Sequence, residues 1–463
     1  MKFFFKKHLI SIAVYLTCAL FIFFCFLIQN EAKNKTRNSF EKIKQAGKIK
    51  LLTNIGETSY YLYNNKPMGF DYELALKYAQ FLNVELEVIT PGWNNLFAYL
   101  EQGKGDFIAA GLTITSQRLN HVNFSIPYLT IQQKLVYHND KQKIKTLEEL
   151  AGKTIHVRRG TSYQTSLISL RKQGIDVHYI LHDNIPTKDF IAMVANKKID
   201  YTIADSNIAY LNRRYYPDIR VGISLNHEEY LGWAIKKKDV ELQKNINEFL
   251  VQAKKNGTLT KLYNKYYDNI TQFDYYDIKI FQQRIAKRLP QYRDVIIKQA
   301  EIYHLDWKII AAITYQESHF LPLARSYTNV RGLMQVTMDT AREMGITNRL
   351  DPYQSIMAGS KYLNKLYGRF YDIKDPYQRL LFSIASYNIG YFHIRDAQDI
   401  AELKGVDKND WYSIKKILPL LTKRKYYKAT KHGYARGNET VNYVTKILIY
   451  YDILKQKEKK ILL

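Results

Sequence analysis

The chain has 463 residues, of which 46% are hydrophobic and 24% are charged. These values are typical of folded proteins and exclude wholesale disorder, and the length predicts two or three domains rather than one core. The formal net charge of +26 indicates an anionic partner, which is nucleic acid, an acidic membrane surface or an acidic polymer. The abundance of Lys, Ile, Asn and Tyr would also follow from biased nucleotide composition, so the charge alone does not decide the function.

The chain begins with a basic and then apolar leader. Three lysines fall within the first seven residues, and an uncharged, mostly apolar run follows from Leu9 to Ile28. This pattern predicts an export signal or a membrane anchor over residues 1–32, with the remainder outside the inner membrane. The length of the run favours an anchor, and cleavage of the leader stays open. Both cysteines, Cys18 and Cys25, lie in this leader, so the exported part is predicted to have no disulfide.

Short apolar runs alternate with helical patterns from Ile49 to about Val221. Examples are "KIKLLTNI", "YELALKYAQFLN", "VELEVIT" and "NNLFAYLEQGKGDF", and the alternation returns from "KTIHVRRG" to "IDYTIADSNIAY". Strands that alternate with helices predict an α/β domain with largely parallel sheets, here with two lobes over residues 40–268. Two lobes joined by two crossings form a hinged cleft, which is a common site for small ligands.

Helical patterns replace the strand signal in the second half of the chain. Residues 269–289 are predicted to be a linker, and residues 290–457 are predicted to form a small all-α domain of amphipathic helices. Capping residues mark the expected starts of helices at Asp306, Asp351 and Asp375 and the expected ends at Gly345 and Gly390. The sequence therefore predicts a multidomain protein.

Glu317 is the one carboxylate in the stretch "TYQESHFLPLARSYTNVRGLMQVT". It follows Ile309, Ile310 and Ile313 on the apolar face of a helix predicted to begin at Asp306, and it falls in the last turn. Burial and the negative end of the helix dipole both disfavour a charged carboxylate. The pattern therefore predicts a raised pKa, which a general acid needs near neutral pH. From spacing alone, an exposed glutamate at a frayed helix end stays the alternative.

Four ordered motifs, "ESHF", "SYTNVRGLMQVT", "ASYNIG" and "VNYVTKILIYY", resemble those of the lytic transglycosylases with a goose-lysozyme-like catalytic domain. The resemblance covers about 290–454, and the blocks "DPYQSIMAGSKYL" and "HGYARGNETVNYV" resemble a membrane-bound subgroup. It implies cleavage of the β-1,4 bond between N-acetylmuramic acid and N-acetylglucosamine without water, which leaves 1,6-anhydromuramic ends during cell wall turnover and remodelling. It also implies a place on the periplasmic side of the envelope, peripheral to the outer membrane, with an inner-membrane anchor over residues 9–28 as the alternative.

The same resemblance implies the roles of the site residues. Glu317 corresponds to the single catalytic acid and base, Ser318 to a serine that positions it, and Tyr443 to a tyrosine that reaches the carboxyl group. Asn388 corresponds to a residue that faces the N-acetyl side of the sugar. The other implied substrate contacts are Gly332, Leu333, Met334, Gln335 and Tyr387. One carboxylate suffices in this family because the acetamido group of the substrate is thought to stabilise C1, and the C6 hydroxyl then closes the anhydro ring.

Two positions depart from the family pattern. Asn329 stands where glycine is common, and because Asn tolerates positive φ next best, the turn is expected to survive. Ser386 replaces an alanine, which is a small change. The spacing of the histidines predicts no metal and no cofactor. The basic and Tyr-rich stretch Leu421–Gly437 could bind nucleic acid, but in an exported protein murein carboxylates or sugars fit better, and a solvated surface is an equal alternative.

The N-terminal half resembles the family 3 solute-binding proteins for amino acids in "GFDYELALKYAQFLN", "GWNNLFAYLEQGKGDFIAAGLTITSQRLNHVNFSIPY" and "DYTIADSNIAY". The resemblance implies that Arg118 binds a ligand carboxylate, assisted by Thr113 and Thr161, and that Asp205 binds the ligand ammonium. A structural role is the alternative for Arg118 and for Asp205. Because these lobes precede a catalytic domain, we expect them to bind a murein stem peptide or amino acid and to modulate catalysis.

Three functional classes follow from these patterns. The leading interpretation is a murein lytic transglycosylase with a regulatory ligand-binding domain. The alternatives are a non-catalytic murein or peptide sensor and a true hydrolase with a second acid contributed from elsewhere in the fold. The expected partners are peptidoglycan glycan strands, a membrane, and a stem peptide or amino acid, with no nucleic acid.

Overall fold

The computed structural model describes residues 39–63, 65–268, 275–326 and 330–461. The leader predicted over residues 1–32 and the turn at Asn329 lie outside these ranges. Within them, no helix is long and apolar enough to cross a membrane.

The N-terminal domain alternates strands and helices, as the sequence predicts. Its strands are β1 (Lys48–Leu52), β2 (Tyr61–Tyr63), β3 (Lys66–Met68), β4 (Glu85–Ile89), β5 (Phe107–Ile108), β6 (Val122–Phe124), β7 (Leu129–Ile131), β8 (Gln133–His138), β9 (Thr154–Arg158), β10 (His178–His182), β11 (Tyr201–Asp205), β12 (Ile219–Ser224), β13 (Glu229–Leu231) and β14 (Ala234–Lys236). Its helices are α1 (Ser39–Ala46), α2 (Phe70–Leu82), α3 (Leu96–Glu101), α4 (Ser116–Leu119), α5 (Ser162–Lys172), α6 (Thr187–Ala195), α7 (Ser206–Arg213), α8 (Val240–Lys255) and α9 (Thr258–Tyr267).

Two five-stranded sheets form the two lobes. The first sheet has the order β4-β1-β5-β14-β6 and the second β10-β9-β11-β8-β12. In the second lobe β9 runs parallel to β10 and β11, so the carboxyl ends of these strands meet at one edge. All five residues of β11 are buried, as expected for a strand covered on both faces. The two predicted lobes are connected by two crossings, and in these crossings β7 and β13 pair antiparallel.

The C-terminal domain is helical and has a core of its own. Its helices are α10 (Tyr275–Lys287), α11 (Arg293–Tyr303), α12 (Trp307–Ser318), α13 (Met338–Met344), α14 (Pro352–Arg369), α15 (Pro376–Ile389), α16 (Tyr391–Leu403), α17 (Trp411–Ile417), α18 (Arg424–Tyr427) and α19 (Gly437–Ile461). The side chains of Asp306, Asp351 and Asp375 accept hydrogen bonds from N–H groups at the starts of α12, α14 and α15. The predicted N-caps therefore set these helix starts.

Part of the predicted linker belongs to the helical domain. Helix α10 occupies most of residues 275–289, and its Ile278 and Phe281 are fully buried in the C-terminal core. The linker prediction for this part of 269–289 is thus corrected, because the apolar face of the segment is covered by other helices instead of lying between two domains.

The two domains contact each other through specific polar groups. Arg214, which follows α7, forms an ion pair with Asp452 of α19 at 3.3 Å. Lys415 of α17 pairs with Asp268 at 2.5 Å. A cavity of about 110 Å³ lies at this junction, lined by residues of both domains, including Tyr61 of β2.

Candidate active site and ligand pocket

Helix α12 places Glu317 at the edge of the helical core. Nine of its residues are buried, including Ile309, Ile310 and Ile313, so the helix is covered on nearly every side. At its start, Asp306 Oδ1 accepts a hydrogen bond from the N–H of Lys308 at 3.0 Å. At its end, His319 adopts the left-handed conformation with φ 55°. The last turn is therefore fixed, and it carries Glu317.

Tyr443 is the partner of the catalytic candidate. Its hydroxyl, on the buried side of α19, donates a hydrogen bond to Oε1 of Glu317. Burial raises the pKa of Glu317 to about 7, and the hydrogen bond from Tyr443 partly opposes this. Among the described residues, no second carboxylate shifts this pKa. A carboxyl group with a pKa near neutrality is suited both to donate and to accept a proton.

The loop 332–335 is shaped by its backbone and buried side chains. Gly332 has φ 96°, and a Cβ there would stand 2.1 Å from the carbonyl oxygen of Arg349. Leu333 and Met334 are fully buried, so they pack under the loop rather than face a ligand. Gln335 has φ 47°, and its Nε2 donates to the carbonyl of Gly332 at 2.8 Å. These contacts fix the conformation of the loop.

Helix α15 brings two further predicted residues to the site. The hydroxyl of Tyr387 donates to the carbonyl of Met334 at 2.9 Å, which ties the helix to the loop. Asn388 is exposed, and its Oδ1 accepts from Thr440 Oγ1 at 2.8 Å. Its Nδ2 has no partner among the described residues and stays available to an acceptor on a substrate.

Neither of two serines singled out in the sequence forms a hydrogen bond to Glu317 among the described residues. The hydroxyl of Ser318 donates to the carbonyl of Thr314 at 3.0 Å. It is thus bonded to its own helix and not to Glu317. Ser386 is fully buried, and within the described ranges its Oγ has no hydrogen-bond partner.

The four residues predicted for the solute-binding domain line one pocket between the lobes. Arg118, Thr113, Thr161 and Asp205 surround a cavity of about 100 Å³. The guanidinium of Arg118 donates to the carbonyl of Thr113 at 2.9 Å in its own lobe and to the carbonyl of Gly160 at 3.1 Å in the other lobe. The hydroxyl of Thr161 donates to the carbonyl of Arg158 at 2.7 Å.

Asp205 presents an unsatisfied carboxylate oxygen to this pocket. It is the last residue of β11, it is 5% exposed, and its Oδ1 has no hydrogen-bond partner in the part of the chain that the structure describes. Burial raises the pKa of Asp205 to about 7, aided by the charge of Glu229 and opposed by Tyr163 and Arg118. An ammonium group in the pocket would satisfy this oxygen and favour its charged form.

Arg158 is a pocket residue that the sequence reasoning missed. It ends β9, next to β11, and its side chain lies against the ring of Trp93 from the other lobe at 5.3 Å. Ligands of open α/β sheets bind at the carboxyl ends of parallel strands. A charged residue at the carboxyl end of the predicted strand "TIHVR" was the signal that could have identified it.

Comparison with known proteins matches both domains. Residues 31–269 match the bacterial extracellular solute-binding proteins, family 3, and residues 294–409 match the transglycosylase SLT domain. A protein of Desulfosudis oleivorans described as membrane-bound lytic murein transglycosylase F is 53% identical over 92% of this chain and 93% of its own length. One of the same description from Shewanella baltica is 41% identical over 89% of this chain and 86% of its own length. Among solved structures, a mutant of ArgBP from T. maritima is 29% identical, with a TM-score of 0.45, over 50% of this chain and 99% of its own.

Proposed function

The chain belongs to the membrane-bound lytic murein transglycosylase F family, and from this premise we propose that Glu317 is the single acid and base of its reaction. The protein is a peptidoglycan lytic transglycosylase with a solute-binding domain in the same chain. The observation that carries the proposal is the pairing of Glu317 with Tyr443, at the end of a buried helix that raises its pKa to about 7.

The reaction begins with proton donation. Protonated Glu317 gives its proton to the oxygen that bridges N-acetylmuramic acid and N-acetylglucosamine, and the bond from C1 to this oxygen breaks. The acetamido oxygen of the muramic acid residue stabilises C1. The hydroxyl of Tyr443 stabilises the carboxylate that Glu317 has become.

Ring closure returns the proton to Glu317. The carboxylate removes the proton from the C6 hydroxyl, and the C6 oxygen bonds to C1 to give the 1,6-anhydro ring. No water is consumed, so this route needs no second carboxylate to activate one. The free Nδ2 of Asn388 supports a role in binding the N-acetyl carbonyl of the substrate.

Digestion of purified murein sacculi tests this proposal. Wild-type protein should release muropeptides whose ends are one water lighter than reducing ends, as measured by mass spectrometry. Glu317→Gln should lower the rate by about 10²–10⁴-fold or more, because the amide cannot transfer the proton. Glu301→Gln, which changes an exposed acid of the same domain, is the matched control and should keep wild-type activity. Reducing ends in the product would favour the hydrolase instead.

The solute-binding domain is proposed to bind a stem peptide or amino acid and to modulate the catalytic domain. Arg118 and the unsatisfied Asp205 face one pocket and suit a carboxylate and an ammonium of one ligand. Such ligands should raise the melting temperature of the full chain, and Arg118→Ala should abolish the shift. Arg342→Ala, at an exposed helical position, should keep it. No shift with any peptide or amino acid would refute this role.

Both domains are proposed to act on the periplasmic side of the cell envelope. The relatives are described as membrane-bound, and murein lies outside the inner membrane. Fractionation of membranes on a density gradient should place the protein with the outer membrane. Its recovery with inner-membrane markers would instead favour an anchor over residues 9–28.

A further inference from the structure

The pocket between the lobes contains a cation that the carboxylate–ammonium arrangement does not use. Arg158 is 9% exposed; its side-chain Nε has no hydrogen-bond partner, and its guanidinium forms no ion pair within the described part of the chain. Its guanidinium lies against Trp93 at 5.3 Å, and both residues line the pocket. A buried charge without a partner is costly, and this cost falls when a ligand supplies the opposite charge.

Arg118 is in a different electrostatic situation. Two of its nitrogens already donate to carbonyl oxygens, and the carboxylates of Asp205 and Glu229 act on its charge. For Arg158, burial lowers the pKa of the guanidinium, and no carboxylate of the described residues opposes this. Arg158 is therefore a positive charge in the pocket that no carboxylate of the described residues balances.

The surroundings of Arg158 favour a second anion. Helix α5 begins at Ser162, which also lines the pocket, and the N–H groups of a first helical turn attract negative charge. Asp205 instead favours a positively charged group, because its Oδ1 is buried without a hydrogen-bond partner among the described residues. The pocket is lined by three cationic side chains, Arg118, Arg158 and Lys188, and by three acidic ones, Glu57, Asp71 and Asp205. Asp71 already accepts a hydrogen bond from Tyr128, whereas Arg158 and Asp205 each have a buried polar atom without a partner among the described residues.

We propose that this pocket takes a ligand with one ammonium and two carboxylate groups. One carboxylate binds Arg118, and the ammonium binds Asp205. The second carboxylate binds Arg158, whose guanidinium lies against the ring of Trp93. The inference rests on the proposed ligand-binding role of the domain and defines its ligand class. Free acidic amino acids and the acidic part of a murein stem peptide both have this chemistry.

Titration calorimetry of the full chain in detergent tests the proposal. The probes are L-glutamate, L-glutamine, L-arginine and a synthetic murein stem peptide that contains γ-D-glutamate. Glutamate and glutamine have nearly the same shape, so their affinity ratio reports on the second carboxylate alone. A charge-assisted hydrogen bond to a buried guanidinium should favour the acidic member of the pair by about tenfold or more.

The neighbouring arginine provides the control. Arg158→Met should reduce the ratio to near one, whereas Arg159→Met should leave it unchanged, because Arg159 is half exposed and pairs with Asp183. Circular dichroism checks that both variants are folded. Tighter binding of glutamate or of the stem peptide identifies the source of the acidic group.

Other results would overturn the inference in distinguishable ways. Equal affinity for glutamine and glutamate, tighter binding of arginine, or an unchanged ratio in Arg158→Met would each refute the second carboxylate while leaving a ligand-binding domain in place. A wild-type chain that binds none of the probes would refute the ligand-binding role itself, and this inference with it.

Discussion

The proposed acid role of Glu317 conflicts with the stability of the native state. The proposed acid role needs a carboxyl group that stays protonated near neutrality, and burial of Glu317 provides this. The unfolded chain releases the proton near its ordinary pKa of 4.5, whereas the native state holds it up to about 7. The native state therefore loses stability as the pH rises through this window, and the loss is constant above it.

Replacing Glu317 should accordingly stabilise the protein. At about pH 8, Glu317→Gln should raise the free energy of unfolding by about 1–3 kcal/mol, and at about pH 4 it should have little effect. Urea denaturation at both pH values measures this. A gain of equal size at the two pH values would show that the carboxylate charge is not its cause.

Tyr443 tunes the same carboxyl group. Its hydrogen bond stabilises the charged form of Glu317 and lowers its pKa. Tyr443→Phe should therefore shift the alkaline limb of the pH–rate profile upward and reduce murein turnover by about tenfold or more, since a hydrogen bond to a charged group is lost. Tyr371→Phe, at a 78% exposed position, serves as the control. An unshifted limb would contradict the role of Tyr443.

At the scale of elements, helix α14 supports the loop 332–335 through one glycine. A Cβ on Gly359 would stand 2.5 Å from the sulfur of Met334, so the helix and the loop approach closely at this point. Gly368 lies in the same helix, and a Cβ there would meet nothing within 4 Å. Comparing alanine substitutions at Gly359 and Gly368 therefore separates the effect of close packing from the helix propensity of alanine.

The two substitutions should have opposite effects on stability. Gly359→Ala should lower the free energy of unfolding by about 1–3 kcal/mol and reduce turnover, because Met334 and the loop must move. Gly368→Ala should leave turnover unchanged and raise stability by up to about 1 kcal/mol. Thermal denaturation and sacculus digestion measure both. Equal melting temperatures of the two variants would refute the packing argument.

The sequence predicted the features that depend on local patterns. The aspartate caps and the periodic apolar residues before Glu317 are sufficient to predict the helix that carries it. Features that depend on distant neighbours were not predictable. The bond of Ser318 to its own helix, the left-handed backbone of Gln335 and the unpartnered state of Arg158 follow from how separate segments meet. The sequence predicts a linker over the segment 275–287 because polar residues are interspersed among its apolar ones. The packed core shows that these apolar residues form one buried face.

At the scale of the whole molecule, one short helix connects the ligand pocket to the catalytic domain. Helix α7 begins directly after Asp205 and ends at Arg213, and the next residue, Arg214, pairs with Asp452. Asp452 lies on α19, which also carries Tyr443. Asp205 is therefore linked to the hydrogen-bond partner of Glu317 through two helices and one ion pair, in which Arg214 is buried and Asp452 is partly exposed. We expect a ligand bound at Asp205 to act on the catalytic domain along this route.

Removing this ion pair should weaken the connection. Arg214 is 5% exposed, so Arg214→Met should lower the free energy of unfolding by about 2–4 kcal/mol and abolish the effect of bound ligand on murein turnover. Lys279→Met also removes an ion pair between the domains, with Asp218, but this pair is exposed and should contribute less than about 1 kcal/mol. Urea denaturation compares the stability of the two variants, and murein turnover with and without ligand compares their response to the ligand. Retained ligand response in Arg214→Met would exclude this route.

Asp306, which caps the helix that carries Glu317, accepts hydrogen bonds from Tyr63 of the N-terminal domain and from Tyr451 of α19. The division of the chain into two domains by sequence position thus does not separate all of their contacts. A catalytic fragment obtained by cutting the chain after Asp268 would begin its central helix without one of these donors, and it would not be the same enzyme in a smaller form. The start of this helix consequently depends on a tyrosine that lies more than two hundred positions before it in the chain.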